Sequence, residues 1–373
     1  MRILFTGGGS GGHIFPIIAV KREIDSFQRE VDSLKEIEIS FQFLGGKTSE
    51  KETLSKEGIP PKTILTTKWR RYFSYKNFLD ILKFPFSLLQ AMFYVWLFMP
   101  DVIFSKGGPG SFPIVIIGWL YQIPIIIHES DSIPGVTNKL SSFFSRKIAI
   151  SFKESVRFFP AKKTIFTGNP IRQKLFNASV EKSKKTFNIK GGRKIILIIG
   201  GSQGANQINS IFIDAIFRYI SKYEIIHICG KNNFREIDLF TKGVLDKEQR
   251  KFYHLYPGLS EEEMGEAYAI ADLVISRAGA GAIFEIAALE KPSIIIPLES
   301  GAQDHQAKNA FYFARSGAAI IIEGSNITPN FVFSRVDQVI ENNKKIKEMK
   351  ENCKKFATLD AAKKVAKIIL EEA

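Results

Sequence analysis

The chain has 373 residues, of which 45% are hydrophobic and 24% charged, and its formal net charge at pH 7 is +14. This length predicts two domains, each with a core of its own. Two cysteines, Cys229 and Cys353, are too few for a disulfide scaffold, and no Cys/His cluster has metal-ligand spacing. The excess of basic residues favours an anionic partner: nucleic acid, anionic lipid or a phosphorylated substrate. The alternative is that the lysines only form solvated surfaces and bind no partner.

The N-terminus lacks the pattern of a signal peptide, because a strand begins at once. The longest apolar stretch runs from Phe84 to Pro100, at the lower edge of the ~17–25 residues that span a bilayer. It contains Pro85 and Gln90, and another strand follows directly. We therefore interpret it as a largely buried helix of an α/β unit rather than as a transmembrane helix.

Strand and helix patterns alternate along the chain. In the first half the predicted strands are Ile3–Phe5, Ile37–Leu44, Val102–Ser105, Pro124–His128, Lys147–Ser151 and Thr164–Phe166, and the predicted helices are Phe15–Phe27, Thr48–Glu57 and Ile114–Tyr121. After a polar, linker-like segment, the second half has predicted strands at Ile195–Ile199, Glu224–Cys229, Leu273–Ser276, Ser293–Pro297 and Ala319–Ile322. This alternation predicts a doubly wound parallel sheet in each half.

These patterns predict an N-terminal lobe of residues 1–167 and a C-terminal lobe of residues 168–349. A basic helical segment from Lys344 to Leu370 ends the chain. It could pack on either lobe, and we assign its last part, about 350–373, to the first lobe.

A glycine-rich turn follows the first strand of each half. Gly7–Gly12 follows Ile3–Phe5, and Gly200–Gly204 follows Ile195–Ile199. Each turn leads into a helix, whose N-terminus and unpaired backbone N–H groups favour anions. Two such turns suggest two lobes that face each other across a cleft, with a phosphate-bearing ligand between them.

The first turn does not match the commonest nucleotide motifs. A dinucleotide site needs an acidic residue at the end of the second strand, and that strand ends in Gly45-Gly46. A P-loop ends in Gly-Lys-Ser/Thr, whereas this turn ends in Gly12-His13. Both motifs are excluded at the residue level.

His13 begins a helix at the predicted cleft, where a histidine is well placed to act as a general base. The helix N-terminus disfavours the imidazolium and helps to keep the ring a neutral acceptor. A histidine that only hydrogen-bonds the glycine loop is the alternative.

The second half carries small residues after the strand Leu273–Ser276, followed by a helix start that suits a phosphate. Glu285 lies one turn into this helix, where its carboxylate can accept two ribose hydroxyls or merely stabilise the helix dipole. The later polar segment Gln303–Gln306 suits sugar hydroxyls, or is an ordinary polar loop.

Seven motifs together are more specific than any one of them. They are GGGSGGHIFPIIAV, SKGGPGSFP, HESDSIPGVTNK, GNPIR, GGSQGANQIN, AYAIADLVISRAGAGAIFEI and DHQAKNA, in this order. With them the chain resembles, from end to end, the bacterial UDP-N-acetylglucosamine:undecaprenyl-pyrophosphoryl-N-acetylmuramoyl-pentapeptide N-acetylglucosaminyltransferases, which convert lipid I to lipid II.

The resemblance implies the GT-B fold, with two Rossmann-like lobes and the donor nucleotide on the C-terminal one. It implies an inverting transfer of GlcNAc from UDP-GlcNAc to the C4 hydroxyl of the MurNAc unit of lipid I, without metal or cofactor. It also implies a peripheral position on the cytoplasmic face of the inner membrane. The activity belongs to peptidoglycan synthesis, and so to cell shape and division, where other cell-wall synthesis proteins are candidate partners.

The family's functional residues map onto this chain one by one. His13 matches the candidate base, and Ser10, Gly11 and Gly12 match the loop facing the acceptor diphosphate and the donor sugar. Glu129 and Asn138 match polar cleft positions. The matches for the donor are Arg172 and Ser202 near the nucleotide, Ala280, Gly281, Ala282, Ile283 and Phe284 along the UDP, Glu285 on the ribose and Gln306 on the GlcNAc.

Four positions depart from the family pattern. Asp131 stands where Asn is usual, and its carboxylate could bind hydroxyls or compete with His13 as the base. Pro109 interrupts a loop that usually reads Gly-Gly-Tyr-Val-Ser, and Ala282 replaces a common Thr. Leu259 is our candidate for the wall of the uracil pocket, where a Phe is usual.

Basic and aromatic residues from Lys68 to Phe73 precede the apolar region Phe78–Met99, and Lys139, Arg146 and Lys147 add positive charge. We predict that they form a face for an anionic membrane surface, at ~1 kcal/mol per basic residue.

Three other functions are weighed against this one. A transferase of the same fold could act on another lipid, and a nucleotide-sugar-binding protein could lack turnover. A nucleic-acid-binding protein is disfavoured, since no recognition helix, RNP-like strand or zinc spacing accompanies the charge.

Overall fold

Two parallel β-sheets organise the chain. The computed structural model describes residues 1–66, 75–200, 206–297 and 304–373. It divides into Met1–Ile171 with Thr358–Ala373, here called unit 1, and Arg172–Ala357, called unit 2. The division therefore follows Ile171 rather than residue 167, and only the segment from Thr358 returns to unit 1.

Unit 1 is built on a parallel sheet with helices on both faces. Its described strands are β1 (Arg2–Gly7), β2 (Ser40–Gly45), β3 (Pro61–Thr63), β4 (Val102–Ser105), β5 (Ile125–Glu129), β6 (Lys147–Ile150) and β7 (Thr164–Phe166). Its described helices are α1 (Gly11–Glu30), α2 (Asp32–Lys35), α3 (Lys51–Lys56), α4 (Tyr75–Phe98), α5 (Phe112–Leu120), α6 (Val136–Phe144) and the C-terminal α16 (Ala361–Glu372). The strand order is β3-β2-β1-β4-β5-β6-β7.

Alternation along the strands of unit 1 separates its core into two layers. Ile3 and Phe5 pack in one apolar cluster with residues of α1 and α16. Leu4 faces the other way, into a cluster with residues of α4 and α5. Because successive strand side chains point to opposite faces, a strand that is apolar throughout needs helices on both sides.

Unit 2 repeats this architecture. Its described strands are β8 (Ile195–Ile199), β9 (Glu224–Ile228), β10 (Tyr253–Tyr256), β11 (Leu273–Ser276), β12 (Ser293–Ile295) and β13 (Ala319–Ile321), all parallel in the order β10-β9-β8-β11-β12-β13. Its described helices are α7 (Val180–Thr186), α8 (Asn206–Asp214), α9 (Ile216–Lys222), α10 (Lys231–Val244), α11 (Glu261–Ile270), α12 (Ala280–Ala288), α13 (Asp304–Arg315), α14 (Pro329–Ile340) and α15 (Asn343–Phe356). The predicted fold class, two Rossmann-like α/β lobes, is confirmed.

Two strands were not predicted, and both lie at a sheet edge. β3 begins with Pro61, and β10 has no fully buried residue. An edge strand takes its conformation from one paired neighbour, so it lacks the continuous apolar run of a central strand. The predicted strand at Ile37–Leu44 begins later, at Ser40, whose N–H donates to the Met1 carbonyl.

The prediction of a largely buried helix over Phe84–Pro100 is wrong for one of its faces. Ser87, Ala91 and Val95 of α4 are fully buried, but Phe86, Trp96 and Leu97 are 63%, 61% and 61% exposed. A stretch that is apolar all round predicts burial all round, and only the packed structure shows which side has no partner. No helix among the described residues is both long and apolar enough to cross a bilayer.

Candidate active site

The strand order of unit 1 creates a crevice between β1 and β4. From β1 the chain goes to β2 on one side, and it returns to β4 on the other. Ligands of open α/β sheets bind outside the carboxyl ends of the strands at such a point. The loops that leave β1 and β4 here are Gly8–Ser10 and Lys106–Ser111.

Glycines let these two loops enclose the His13 ring. Gly108 has a φ of +93°, and a Cβ atom on it would lie 2.8 Å from the Gly8 nitrogen. A Cβ atom on Gly8 would lie 2.9 Å from Cδ2 of His13. Neither position can therefore take a larger residue without moving the other loop or the imidazole.

Replacing Gly108 with alanine is expected to lower the free energy of unfolding of unit 1 by more than the ~1–3 kcal/mol of a left-handed backbone alone. The added methyl group would also meet the Gly8 backbone. Gly58→Ala is the matched control, because Gly58 has a φ of +73° in the same unit but only the Lys21 Nζ nearby, at 3.8 Å. Urea unfolding of both variants measures the difference, and equal losses would contradict a steric role for Gly108.

The hydrogen bond of His13 determines its tautomer. Its Nδ1–H donates to the backbone carbonyl of Lys106 over 3.2 Å, which leaves the lone pair on Nε2. Burial, and then the positive charge of Lys106, lower the pKa of His13 below its ordinary value. The hydrogen bond to the Lys106 carbonyl and then the Asp131 charge act in the opposite direction. At neutral pH the ring is thus an uncharged proton acceptor.

A buried polar cluster lies directly behind this histidine. The Lys106 ammonium donates to His128 Nδ1 over 2.6 Å and also to the Ser130 hydroxyl. The His128 Nε2–H donates to the Gly168 carbonyl over 3.1 Å, and Ser130 donates to Asn169 Oδ1. Burial lowers the pKa of Lys106 to about 7, although the Glu129 and Asp131 charges act in the opposite direction.

Glu129 ends β5, and it is buried. It accepts hydrogen bonds from the Asp131 and Gly135 N–H groups and from Asn138 Nδ2, the last over 2.9 Å. Burial, and next the Asp131 charge, raise its pKa to about 7. The Asn138 Oδ1 atom is buried and, within the described part of the chain, accepts no hydrogen bond.

The remaining predicted residues of unit 1 lie at the start of α1 and in the segments that follow β4 and β5. Ser10 is the N-cap, but its hydroxyl makes no capping hydrogen bond, and Gly11 and Gly12 are the first helical residues. Gly12 is exposed, and Asp131 is half-buried. Pro109 is exposed on the second loop.

Unit 2 has the same kind of crevice, between β8 and β11. The predicted Ser202 belongs to residues 201–205, which lie outside the described residues. After β11 the chain reaches Gly279, the N-cap of α12, and a Cβ atom on Gly279 or Gly281 would meet no described atom within 4 Å. The start of α12 is therefore open to close approach by an anion.

Arg172 and Glu285 are joined by a two-pronged ion pair. Arg172 Nε donates to Oε1 and an Nη atom to Oε2 of Glu285, both over 2.8 Å, and each residue is 8% exposed. The Glu285 charge raises the pKa of Arg172, although burial alone would lower it. Each carboxylate oxygen keeps a second lone pair, which can accept a ligand hydroxyl.

The other residues predicted to bind the nucleotide-sugar donor differ in how much of their side chain is exposed. Ile283 and Phe284 are 0% and 2% exposed, with side chains in the core of unit 2, so only their backbone could face a ligand. Ala280 is buried at the first turn of α12, and Ala282 is half-buried. Leu259 is half-buried before α11, and Gln306 lies in the first turn of α13.

Known proteins resemble the chain along its whole length. Residues 3–150 match the glycosyltransferase family 28 N-terminal domain, and residues 195–365 match its C-terminal domain. A Bacillus cereus protein named UDP-N-acetylglucosamine--N-acetylmuramyl-(pentapeptide) pyrophosphoryl-undecaprenol N-acetylglucosamine transferase 2 is 36% identical over 93% of this chain and 93% of its own length. The chain belongs to this transferase family. A Clostridium perfringens transferase of the family is 37% identical over 92% of this chain and 91% of its own.

Solved structures agree with this family assignment. The crystal structure of Acinetobacter baumannii MurG has a TM-score of 0.72 and 25% identity, covering 99% of each chain. The UDP-GlcNAc 2-epimerase of Neisseria meningitidis, solved with UDP-GlcNAc bound, has a TM-score of 0.69 over all of both chains but only 15% identity, so it shares the fold alone. The family and its GT-B fold were both predicted from the motifs, and both are confirmed.

Residues that the sequence reasoning did not select also contribute to the unit 1 crevice. They are Lys106, His128, Ser130 and Asn169, which form the buried cluster behind His13. A usable signal was present, because each follows or ends a predicted strand, where parallel sheets collect their functional side chains. Among the described residues, no group of three or more His, Cys, Asp or Glu side chains could hold a metal ion.

Proposed function

We propose that this enzyme transfers GlcNAc from UDP-GlcNAc to the C4 hydroxyl of the MurNAc unit of lipid I, giving lipid II in peptidoglycan synthesis. The observation that carries this proposal is the 36% identity to a transferase of that name over 93% of both chains. The two glycine-lined crevices support it, since the reaction needs one place for an acceptor diphosphate and one for a nucleotide.

In the proposed reaction the acceptor oxygen attacks the anomeric carbon from the side opposite UDP. The new bond joins this oxygen to C1, and the bond from C1 to the phosphate oxygen breaks, so UDP leaves with the electron pair and the configuration inverts. The C4 hydroxyl proton moves to His13 Nε2, which is a neutral acceptor because Nδ1–H is held by the Lys106 carbonyl. Ser10, Gly11 and Gly12 would bind the acceptor diphosphate.

For the donor we propose the crevice of unit 2. The open start of α12, at Ala280–Ala282, would receive the diphosphate and stabilise the charge that develops on it. Glu285 would accept the ribose hydroxyls while Arg172 holds its carboxylate in place. We propose Gln306 for the GlcNAc hydroxyls, Leu259 beside the uracil, and Ser202 near the phosphates.

Transfer of radiolabelled GlcNAc from UDP-GlcNAc to a lipid I analogue tests this function. We expect a labelled disaccharide lipid as the product. Tight UDP-GlcNAc binding without transfer would indicate a binding protein, and transfer only to a diacylglycerol would indicate another lipid acceptor. Either result overturns the proposal.

We further propose that unit 1 binds the cytoplasmic face of the membrane through an apolar face on α4, α5 and α6. Its exposed side chains are Phe86, Leu89, Phe93, Trp96 and Leu97 on α4, Trp119 and Leu120 on α5, and Phe143 on α6. Exposed apolar patches of this kind are typical of interaction surfaces, and tryptophan suits the headgroup region. The anionic lipid of that surface would complement the net charge of +14.

The basic residues that we predicted for a membrane-binding face differ in what the structure shows of them. Residues 67–74, which include Trp69 and its neighbouring arginines, lie outside the described residues. Arg146 pairs with Glu372 over 2.5 Å, and Lys147 lies 3.9 Å from the same carboxylate. Lys139 contacts the face of the Phe158 ring, at 5.1 Å from its centre.

Replacing Leu97 with serine is expected to weaken binding to phosphatidylglycerol vesicles about tenfold, because at least ~1.5 kcal/mol of side-chain burial is lost. Leu239→Ser is the matched control, since Leu97 and Leu239 are 61% and 62% exposed and Leu239 lies on α10 of unit 2. Vesicle co-sedimentation measures both variants. Equal weakening by the two substitutions would exclude α4 as the binding face.

A further inference from the structure

Lys106 is a buried lysine whose side chain no step of the proposed transfer uses. Its side chain lies at the carboxyl end of β4 and is almost inaccessible, since the residue is 3% exposed. A lysine is rarely buried so deeply unless its charge is paired or used. The ammonium donates to His128 Nδ1 over 2.6 Å and to the Ser130 hydroxyl, two residues that flank Glu129 along the chain.

The backbone of the same residue contacts His13. Its carbonyl accepts the Nδ1–H of that ring over 3.2 Å. The Lys106 carbonyl thus contacts the proposed base, and the Lys106 ammonium contacts the segment that carries Glu129. These contacts join α1, β4 and the end of β5, which are far apart in the sequence.

We propose that Lys106 is a positioning residue for GlcNAc transfer: its carbonyl holds His13 in the tautomer that accepts a proton at Nε2, while its ammonium orients the segment around Glu129. This proposal rests on the proposed function, since it assigns a role to the surroundings of the proposed base.

The charges around His13 and Lys106 determine in which direction the pH dependence of the rate changes when the lysine is replaced. His13 faces the Lys106 ammonium and the Asp131 carboxylate, and Lys106 faces Glu129, Asp131 and the neutral His128. The Lys106 charge lowers the pKa of His13, so removing it raises that pKa. The acid limb of the rate profile then moves to higher pH, because a larger share of His13 is protonated at each pH.

Lys106→Met is the test variant, as methionine has a similar length and no charge. Lys163→Met is the matched control, because Lys163 is a half-buried lysine of unit 1 that donates to the Ser145 carbonyl over 2.8 Å, outside the crevice. We expect kcat of Lys106→Met to fall about 10²-fold, as for a misplaced catalytic group, with an unchanged KM for UDP-GlcNAc. The acid limb should move to higher pH in this variant alone.

A second measurement tests the role of Lys106 independently of GlcNAc transfer. In protein labelled with ¹⁵N-histidine, the five histidines are followed by NMR through a pH titration, and His13→Gln identifies the His13 signals. We expect the Nδ1–H tautomer in the wild type and a raised His13 pKa in Lys106→Met. Should Lys106→Met fail to fold, Lys106→Gln, which keeps a donor but no charge, is measured in its place. Identical His13 titrations and equal kcat values overturn the role of Lys106, whereas a wild type without transfer overturns the proposed function only.

Discussion

Replacing His13 with glutamine is expected to lower kcat for GlcNAc transfer by about 10²–10⁴-fold, the usual contribution of a positioned general base. Glutamine has no basic lone pair at the position of Nε2, although it can still hydrogen-bond the loop. Transfer from radiolabelled UDP-GlcNAc to a lipid I analogue measures the loss. UDP-GlcNAc binding, followed by calorimetry, should be retained, because the proposed donor residues belong to unit 2.

The variant Asp131→Asn tests the other candidate for the general base. Asp131 is the second candidate base, half-buried, and its charge acts on both His13 and Glu129. Since the family resemblance implies Asn at this position, we expect Asp131→Asn to keep most of the activity. A collapse in Asp131→Asn together with activity in His13→Gln would move the base to Asp131.

The pH dependence of the wild type follows from the burial of His13 and from the nearby Lys106 charge. Because the pKa of His13 is lowered from its ordinary value of 6.5, the base is unprotonated at pH 7, and its contribution to the rate is lost only as the pH falls below 6.5. We therefore expect the acid limb attributed to His13 below 6.5, and its absence from His13→Gln. A histidine limb above neutral pH would contradict the described surroundings of His13.

Replacing Glu285 with alanine is expected to lower the free energy of unfolding of unit 2 by about 3–5 kcal/mol and to abolish UDP binding at micromolar concentrations. The loss of stability arises because Arg172, only 8% exposed, would remain buried without its carboxylate partner. Urea unfolding and calorimetry with UDP give the two quantities. The matched control is Glu262→Ala in the exposed pair with Lys174, whose side chains are 59% and 45% exposed, where we expect about 0–1 kcal/mol.

A double variant separates folding from ligand binding. Arg172→Met with Glu285→Leu replaces the whole ion pair with apolar side chains, and such replacements are often neutral for stability. We expect this variant to be nearly as stable as the wild type and still unable to bind UDP. If it bound UDP normally, Glu285 would play no part in recognising the nucleotide.

The fold was predictable because its signals are local. Strands such as Ile195–Ile199 are continuous apolar runs, and glycine turns follow them at Gly7 and Gly200. The regular alternation with helices then allows little besides a doubly wound sheet. The edge strands β3 and β10 were not predicted, because their conformation depends on the neighbouring strand rather than on their own pattern of apolar residues.

The sequence by itself thus determined the two lobes, the family and the place of His13 at a helix start after a glycine turn. Only the tertiary structure decided which groups meet: Lys106 with His128, and Arg172 with Glu285, 113 positions apart. It also decided that one face of α4 is exposed. Local patterns report which backbone a segment prefers, whereas contacts between distant side chains depend on strand order and packing, which no single segment encodes.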